Sequence, residues 1–426
     1  MPRMAGDRDV FRAPNGTHDV LAPESDRWQA FVAAFAVRAR RAGFGLLVTP
    51  IFEHVEVVQK LGASTDAVRK EMYDFDDKGG RRLALRADGT ASVARSFAQH
   101  QPVTPWKVWY VAPNFRYERP QKGRYRQHWQ VGVEVLGVDD ATVDVEVMAL
   151  AHDFYRDDLG LRQLRLLVNS MGDAETRARY REVLLAHWRA HASLLGAEME
   201  RAEANPLRIL DSKRDDWQEM IETAPQIGDH LTDRAADDFE TVQAGLRSLG
   251  ISFEIAPRLV RGLDYYTGTT FEFQSDALDA AQNAIGGGGR YDGLVEQMGG
   301  KPTPGIGFGI GIERVLIVCD AEGVFAGPPA GLDVFVVDTV GGIASMPLLA
   351  ELRAAGLSAD RAYGNRSMKK QWGVADRLGA RWGVMLAPRE IAEGKVVVRD
   401  MTSGEQVAVK WDEVAAWLTR EETSAR

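Results

Sequence analysis

Glycines and apolar residues alternate strictly along residues 305–312, whose letters are GIGFGIGI. In a β-strand, successive side chains point to opposite faces, so the glycines share one face and the apolar residues the other. Glycine weakens a strand, and a face of bare backbone therefore needs a reason. Two explanations stay open at this point: close approach of a flat ligand such as a purine ring, or tight packing of a helix. Glu313 and Arg314 follow and begin a predicted helix, where the Arg314 cation could meet a phosphate.

A second strand pattern occurs at residues 130–135, where polar and apolar residues alternate. Gln130, Gly132 and Glu134 share one face of this predicted strand, and valines occupy the other. An amide, a gap and a carboxylate on one face can form the floor of a polar pocket. The alternative is an ordinary strand face that contacts solvent.

The loop between two predicted strands, residues 107–111 and 129–138, is strongly basic. The loop has one acidic residue, Glu118, and its basic residues are Arg116, Arg119, Lys122, Arg124 and Arg126. The planar arginine fork matches phosphate oxygens, and neighbouring tyrosines add surfaces for stacking. This composition predicts a phosphate or nucleic-acid contact, with a solvated loop as the alternative.

Two further segments, both in the second half of the chain, are rich in residue types that can act in binding or catalysis. Residues 261–268, RGLDYYTG, place a guanidinium, a carboxylate and two phenols close together. Residues 286–293, GGGGRYDG, form a glycine-rich turn that permits close backbone approach. Neither segment has the glycine spacing of a Rossmann or P-loop nucleotide site.

The composition excludes several classes of protein. The 426 residues carry a formal net charge of −9, which excludes a uniformly basic nucleic-acid binder and a polybasic membrane binder. The single cysteine, Cys319, excludes an internal disulfide framework and lies in an apolar run typical of a buried thiol. His187 and His191 have helical spacing without the neighbouring acid of a zinc motif, so we predict no side-chain metal site. Without a signal-peptide pattern or an 18-residue apolar run, we expect a cytoplasmic protein that does not enter membranes.

The sequence divides into segments of different character. Residues 24–43 predict an amphipathic helix that ends at Gly43, and residues 174–248 are charged and helix-forming. A Pro-Pro pair between glycines predicts a linker at residues 327–332, followed by a small α/β domain. The predicted boundaries are 1–172 and 249–326 for two parts of a core, 173–248 for a helical insertion, and 333–426 for the last domain.

Taken together, these segments resemble the histidyl-tRNA synthetases, a family of class II aminoacyl-tRNA synthetases. Residues 261–273 and 288–294 resemble the two histidine-specific motifs of that family. Residues 115–137 resemble its motif 2, residues 305–316 its motif 3, and residues 44–62 its dimer-forming motif 1. The resemblance implies an α+β fold: a six-stranded antiparallel sheet flanked by helices, a helical insertion and a C-terminal α/β anticodon-binding domain.

The resemblance also implies roles for individual residues. Arg116 corresponds to the arginine that holds the α-phosphate and the reacting carboxylate, Arg314 to the one on the γ-phosphate, and Arg261 to the family's catalytic arginine. Glu134 and Tyr266 correspond to residues that bind the imidazole. The implied histidine site comprises Asp88, Gly89, Thr90, Gln130, Glu134, Arg261, Tyr265, Tyr266 and Tyr291. The implied ATP site comprises Arg116, Glu118, Arg124, Gly309 and Arg314, and the implied tRNA contacts are Arg119, Gln121, Arg366, Lys369 and Lys370.

The implied substrates are L-histidine, ATP with Mg²⁺, and tRNA(His), and the implied assembly is a homodimer. One departure from the family pattern is Asp88, since the family usually has Glu there; aspartate keeps the charge but is one methylene shorter. The alternative function is a catalytically inactive, histidine-binding regulatory subunit, which is expected to lack both Arg261 and the domain at 333–426. A pure RNA-binding module would need neither the imidazole pocket nor the phosphate-binding arginines.

Overall fold

The computed structural model describes residues 11–60, 62, 65, 68, 70–210, 212, 214–259, 265–278, 283–328, 331–364 and 366–425. The chain divides into two compact units, Met1–Gly327 and Pro328–Arg426. Within the described part, no helix combines the length and the apolar character needed to cross a membrane.

The strands of the first unit are β1 Gly45–Leu46, β2 Phe52–His54, β3 Asp74–Asp76, β4 Arg82–Leu85, β5 Trp106–Phe115, β6 Gln127–Leu136, β7 Leu164–Ser170, β8 Glu254–Ile255, β9 Thr267–Ser275, β10 Ala284–Arg290 and β11 Gly305–Gly311. Its helices are α1 Glu24–Arg41, α2 Val55–Gln59, α3 Thr90–His100, α4 Thr142–Asp153, α5 Ala174–Ala190, α6 Ala192–Leu195, α7 Met199–Ala204, α8 Leu207–Leu210, α9 Gln218–Glu222, α10 Asp233–Ser248, α11 Leu294–Gln297 and α12 Ile312–Glu322. A π-helical turn, Phe154–Asp158, extends α4, and short 3-10 turns lie at Gly196–Glu198, Asp215–Trp217 and Ile227–His230.

A large sheet organises the first unit, with strand order β1-β5-β6-β11-β10-β9-β7-β8. The pairs from β5 through β7 are all antiparallel, which confirms the predicted six-stranded antiparallel core. Two short strands, β1 and β8, extend it in parallel at its two ends. A separate three-stranded sheet has the order β2-β4-β3.

One face of the large sheet forms the main core. Val131, Val133 and Val135 of β6 are buried there, as are the apolar residues of β11. Helix α1 adds Phe31 and Phe35, one helical turn apart, so its buried stripe faces the sheet. Because every second residue of β6 and β11 is used in this way, the polar and glycine positions lie on the opposite face.

The helical insertion has its own hydrophobic core. Tyr180, Leu184 and Trp188 of α5 pack together with residues of the following short helices, such as Trp217. Helix α10 differs, because its buried Val242 and Leu246 belong to the main core. Within residues 173–248, the segment before α10 therefore has a separate core, and α10 packs with the sheet.

The second unit contains β12 Val334–Asp338, α13 Ser345–Ala354, β13 Ala359–Arg361, α14 Met368–Arg377, β14 Trp382–Leu386, α15 Pro388–Ala392, β15 Lys395–Asp400, β16 Gln406–Lys410, a 3-10 turn at Trp411–Glu413 and α16 Val414–Ala425. Its sheet order is β13-β12-β14-β15-β16, parallel over the first three strands and antiparallel over the rest. This confirms the predicted C-terminal α/β domain.

Candidate active site

The glycines of β11 make room for side chains of neighbouring strands. Gly307 pairs with Glu134 of β6, and a Cβ atom on Gly307 would lie 1.7 Å from Oε2 of Glu134. Gly132 of β6 has the same relation to Tyr110, whose ring would lie 2.4 Å from an added Cβ. These positions therefore exclude any side chain, and the space is taken by an acid and a phenol.

The carboxyl group of Glu134 is the polar centre of this pocket. It is fully buried, and it accepts hydrogen bonds from the Thr90 hydroxyl at 2.7 Å and from the Tyr291 hydroxyl at 2.8 Å. Burial raises the pKa of Glu134 to about 8, although both hydroxyl groups oppose the shift. The site therefore holds an acid that can gain or lose a proton near neutral pH.

Tyrosine rings surround the carboxyl group of Glu134. The ring centroids of Tyr265 and Tyr266 are 4.6 Å apart, and those of Tyr265 and Tyr291 are 5.9 Å apart. Tyr265 also donates a hydrogen bond of 3.1 Å to Asp88, a buried carboxyl whose pKa is raised by burial. A pocket with aromatic walls and an acid at its base suits a flat ring that carries N–H groups.

Gln130 lies on the same strand as Glu134, four residues nearer the strand's start. Its Oε1 accepts a hydrogen bond of 2.7 Å from the amide of Asn114, which is buried in β5. Gly309 of β11 leaves this amide accessible, since a Cβ there would be 3.3 Å from Gln130 Oε1. Gln130 is thus fixed between the carboxyl pocket and a second cavity that it also lines.

The second cavity has a volume of about 400 Å³ and is rich in cations. Arginines contribute positive charge to its wall, while glycines of β10 and β11 leave part of the wall as bare backbone. Its lining is Arg116, Glu118, Gly123, Arg124, Tyr125, His128, Gln130, Ala284, Ile285, Gly286, Gly309, Gly311, Glu313 and Arg314. A cavity of this size and charge fits a polyphosphate attached to a flat base.

Backbone carbonyl groups hold the arginines of this cavity in place. Arg116 donates from Nε to the carbonyl of Ala87 at 2.9 Å, which places it next to Asp88. Arg314 donates to the carbonyl of Ala284 at 2.8 Å. These carbonyl partners are neutral, so they satisfy part of each guanidinium group without neutralising its positive charge.

Two further residues adjust the charge of the cavity. Burial, together with the nearby Arg116 and Arg314, lowers the pKa of His128 to about 3, so its ring is neutral at physiological pH. Burial raises the pKa of Glu313 to about 7, while its carboxyl accepts the backbone N–H of Trp129 at 2.9 Å. Among the described residues that line the cavity, the positive charge therefore comes from arginine side chains.

Comparison with known proteins identifies the family. The histidyl-tRNA synthetase family model matches residues 16–315, and the model of the anticodon-binding domain matches residues 343–421. The chain is 46% identical over 415 residues to a histidine–tRNA ligase of Bacillus velezensis, covering 95% of this chain and 97% of the relative. The chain belongs to the histidyl-tRNA synthetases.

Further relatives agree with this assignment. A histidine–tRNA ligase of Rhodococcus erythropolis is 47% identical over 412 residues, covering 95% of this chain and 96% of the relative. The crystal structure of apo Staphylococcus aureus histidyl-tRNA synthetase superposes with a TM-score of 0.81 at 34% identity, covering 96% of this chain and all of that one. These full-length matches support the ligase rather than the regulatory-subunit alternative. ATP is the substrate that the synthetase family implies.

The structure brings most of the predicted site residues of this synthetase together. Asp88 lies beside Arg116, and Glu134 contacts Thr90 and Tyr291. Gly89 precedes α3, and a Cβ there would lie 2.5 Å from the Tyr110 ring. Glu118, Arg124, Gly309 and Arg314 line the cavity with Arg116.

Other predicted residues lie elsewhere or outside the described residues. Arg261, the implied catalytic arginine, is not among the residues that the structure describes. Arg119 and Gln121 are exposed in the loop between β5 and β6, where Gln121 exchanges backbone hydrogen bonds with Arg124. The three remaining predicted tRNA contacts are exposed on or just before α14 of the second unit: Arg366, Lys369 and Lys370.

Several residues of the synthetase site were not predicted from the sequence. Tyr110 and Asn114 lie on β5, within or just beyond a segment predicted only as a strand. His128 lies at the start of β6, and Glu313 was noted only as the start of a helix. The pairing of β5 with β6 places Tyr110 opposite Gly132 and Asn114 opposite His128. The hairpin register would therefore have revealed Tyr110 as the residue that fills the gap at Gly132.

Proposed function

We propose that this synthetase activates L-histidine with ATP, forms histidyl-adenylate and pyrophosphate, and transfers histidine to the 3′ end of tRNA(His). The observation that carries the proposal is the adjacency of two sites: an acid-and-tyrosine pocket at Glu134 and a cationic cavity that begins at Arg116. Gln130 and Arg116 lie between the two, where the carboxylate of the amino acid must meet the α-phosphate.

The pocket around Glu134 is assigned to the imidazole of histidine. Imidazole has two ring nitrogens, which the Glu134 carboxyl and a phenol, Tyr266, can bind together. Tyr265, Tyr291, Thr90 and Gly89 shape the pocket, and Asp88 takes the amino group of the substrate. An amino acid without these nitrogens leaves buried polar atoms unpaired, which supports discrimination of up to roughly 10⁴–10⁵.

Activation is an in-line attack of the histidine carboxylate on the α-phosphorus. Two anions must approach each other, so cations that neutralise their repulsion and the charge of the transition state lower the barrier. Arg116 is assigned to the α-phosphate and the carboxylate, Arg314 to the γ-phosphate, and Arg261 to catalysis by its place in the motif. Glu118, Arg124 and Gly309 complete the proposed ATP site.

Magnesium is assigned to the same cavity. Mg²⁺ prefers one or two carboxylates together with phosphate oxygens, and Glu118 and Glu313 both line the cavity, so the donor set fits. Bound there with ATP, the ion would neutralise phosphate charge. Among the described residues, no group of three or more His, Cys, Asp or Glu side chains forms a separate metal site.

The proposed organisation follows the predicted boundaries, with a core at 1–172 and 249–326, an insertion at 173–248, a linker at 327–332 and an anticodon-binding domain at 333–426. The proposed tRNA contacts are Arg119 and Gln121 for the acceptor end and Arg366, Lys369 and Lys370 for the anticodon arm. The proposed location is the cytoplasm, where the tRNA substrate is used.

Histidine-dependent exchange of pyrophosphate into ATP tests this function directly. We expect exchange with histidine and none with other amino acids, followed by charging of tRNA(His). The double variant Lys369→Ala/Lys370→Ala should keep the exchange rate and lower charging, because these lysines lie in the second unit. A folded protein without histidine-dependent exchange would refute the proposal, and equal losses in both assays would refute the lysine assignment.

The proposed assembly is a homodimer formed through the segment that resembles motif 1. This segment exposes several apolar side chains close together in sequence, and side chains of this kind are usually covered in an assembly. Val48 is 80% exposed and Leu46 is 56% exposed, and Phe52 contributes an exposed ring that packs on Phe75. A surface that stays in contact with solvent is not expected to expose this many apolar side chains so close together.

Val48→Asp is expected to shift the protein from dimer to monomer at micromolar concentration, because a charge at the interface would have to be desolvated. Light scattering measures the mass, and Val103→Asp is the matched control since Val103 is 90% exposed outside this segment. A dimer that survives V48D, or one lost equally in V103D, would contradict the assigned interface.

A further inference from the structure

Side chains at the junction of the core and the helical insertion contact the described chain before and after residues 260–264. Before these residues, the buried Asn169 of β7 donates from Nδ2 to the carbonyls of Pro257 at 3.3 Å and Leu259 at 3.2 Å. After them, Arg177 of α5 donates from Nη1 to the carbonyl of Tyr266 at 3.2 Å. Both side chains lie within nine residues of each other in the sequence, at the junction of the core and the insertion.

The junction itself is rigidly built. Asp173 caps α5 by accepting the backbone N–H of Thr176 at 2.8 Å, and it also accepts the hydroxyl of Thr232 at 2.6 Å. Thr232 is the N-cap of α10, the helix that packs into the main core. The first turn of α5, which carries Arg177, is therefore fixed relative to the sheet.

The insertion makes a third contact with the same region from farther along its chain. Arg258 donates from Nη2 to the carbonyl of Glu222, at the end of α9, at 2.6 Å. Since α9 belongs to the separate core of the insertion, a movement of that core would act on the chain next to Leu259.

Arg177 also borders a cavity of about 420 Å³, together with Thr267 and Gly268. Because this space adjoins the residues that follow Tyr266, packing alone does not prevent them from shifting. Burial lowers the pKa of Arg177, and Asp173 and Asp292 supply the opposing negative charge, so the guanidinium is kept in a partly buried position. A partly buried guanidinium group needs hydrogen-bond acceptors, and the Tyr266 carbonyl supplies one to Arg177.

We infer that Arg177 is a positioning residue for histidine binding, which holds the backbone at Tyr266 so that the Tyr266 side chain meets the substrate. This inference rests on the proposed role of Tyr266. It gives the insertion a part in the first reaction step, before tRNA binds.

Arg177→Met tests the inference in the full-length protein by pyrophosphate exchange. Loss of a hydrogen bond from a charged donor is expected to raise the KM for histidine roughly tenfold while the KM for ATP changes less than about twofold. Arg177→Lys keeps a single donor and should recover part of the histidine KM.

Arg181→Met is the matched control. Arg181 lies one turn farther along α5, and its partners within the described residues are the carbonyls of Ala204 and Glu203 inside the insertion. Its variant should match wild type in histidine KM. Equal effects of R177M and R181M, or an equal rise of both KM values in R177M, would overturn the inference. If part of the protein is unfolded, the apparent kcat falls and the KM does not change. A lowered kcat with an unchanged histidine KM in R177M would therefore also overturn the inference.

Tyr266→Phe, measured alongside, separates this inference from the site assignment. A raised histidine KM in both Y266F and R177M supports the two together. An unchanged KM in Y266F with a raised KM in R177M would refute the role of the Tyr266 phenol and still support the positioning contact.

Discussion

Gly307→Ala is expected to abolish histidine binding and to destabilise the protein. A Cβ atom at this position would lie 1.7 Å from Glu134 Oε2 and 2.3 Å from the carbonyl oxygen of Val133. Both atoms belong to β6, which is hydrogen-bonded on both sides, so neither can retreat without moving the sheet. Overpacking of this kind costs about 3 kcal/mol or more in the free energy of unfolding. Calorimetric titration with histidine and denaturant unfolding measure the two effects.

Gly311→Ala is the matched control for stability and histidine binding. Gly311 occupies the same face of the same strand, yet a Cβ there would meet no atom within 4 Å. In both variants, replacing glycine by alanine lowers the conformational entropy of the unfolded chain by the same amount. A difference between them in stability or in histidine affinity therefore isolates the contact at Glu134. Histidine affinity of G307A within a few-fold of wild type would show that the pocket does not need the bare backbone.

The alternation of glycine and apolar residues predicted the face of β11 but not what covers that face. Neither of the two explanations, a flat ligand or a packed helix, describes Gly307, whose space is filled by the carboxyl group of Glu134. Gly309 and Gly311, by contrast, line the cationic cavity, as a nearby ligand requires. Strand periodicity is local, whereas the identity of the neighbour depends on which strand pairs with β11 and in which register.

Regular elements with strong patterns were predictable. The helix predicted at 24–43 spans Glu24–Arg41, and the hairpin predicted from residues 107–111 and 129–138 is formed by Trp106–Phe115 and Gln127–Leu136. These segments were predictable because the spacing of their apolar residues and their content of β-branched residues favour a helix or a strand through local interactions.

The residues that orient the site were not predictable in the same way. Arg177 lies in a segment that was predicted only as charged and helix-forming, and Asn169 lies in a strand without a motif. Their partners are backbone carbonyls that are 88 to 90 residues away along the chain. Every residue has a backbone carbonyl, whatever its side chain, so no pattern of residue types could have indicated these contacts.

Glu134→Gln is expected to stabilise the free protein at alkaline pH and to weaken histidine binding. The folded protein holds a proton on Glu134 up to a pKa of about 8, whereas the ordinary value is 4.5. The folded state therefore binds more protons between these values, and the resulting stability is complete below pH 4.5 and is lost as pH rises through about 8. Glutamine has the same shape and no such loss.

Across this range, the stability of wild type relative to E134Q should fall by about 1.4 kcal/mol per pH unit and then stay constant. Denaturant unfolding of both proteins at pH 5, 6.5, 8 and 9 measures the slope. Glu146→Gln is the control for loss of a surface carboxylate, because Glu146 is 65% exposed and paired with Lys107. A pH-independent difference between wild type and E134Q would contradict a protonated Glu134.

The same variant should raise the histidine KM roughly 10- to 100-fold, since an amide cannot pass a proton to the imidazole and form the charge-assisted hydrogen bond that the carboxyl group then forms with the ring N–H. Thr90 and Tyr291 can still bond to the amide, because hydroxyl groups both donate and accept. Greater stability together with weaker histidine binding would show that the buried acid is retained for recognition at a cost to the fold. An E134Q protein that is more stable and binds histidine as tightly as wild type would remove Glu134 from the imidazole site, while leaving its raised pKa explained by burial alone.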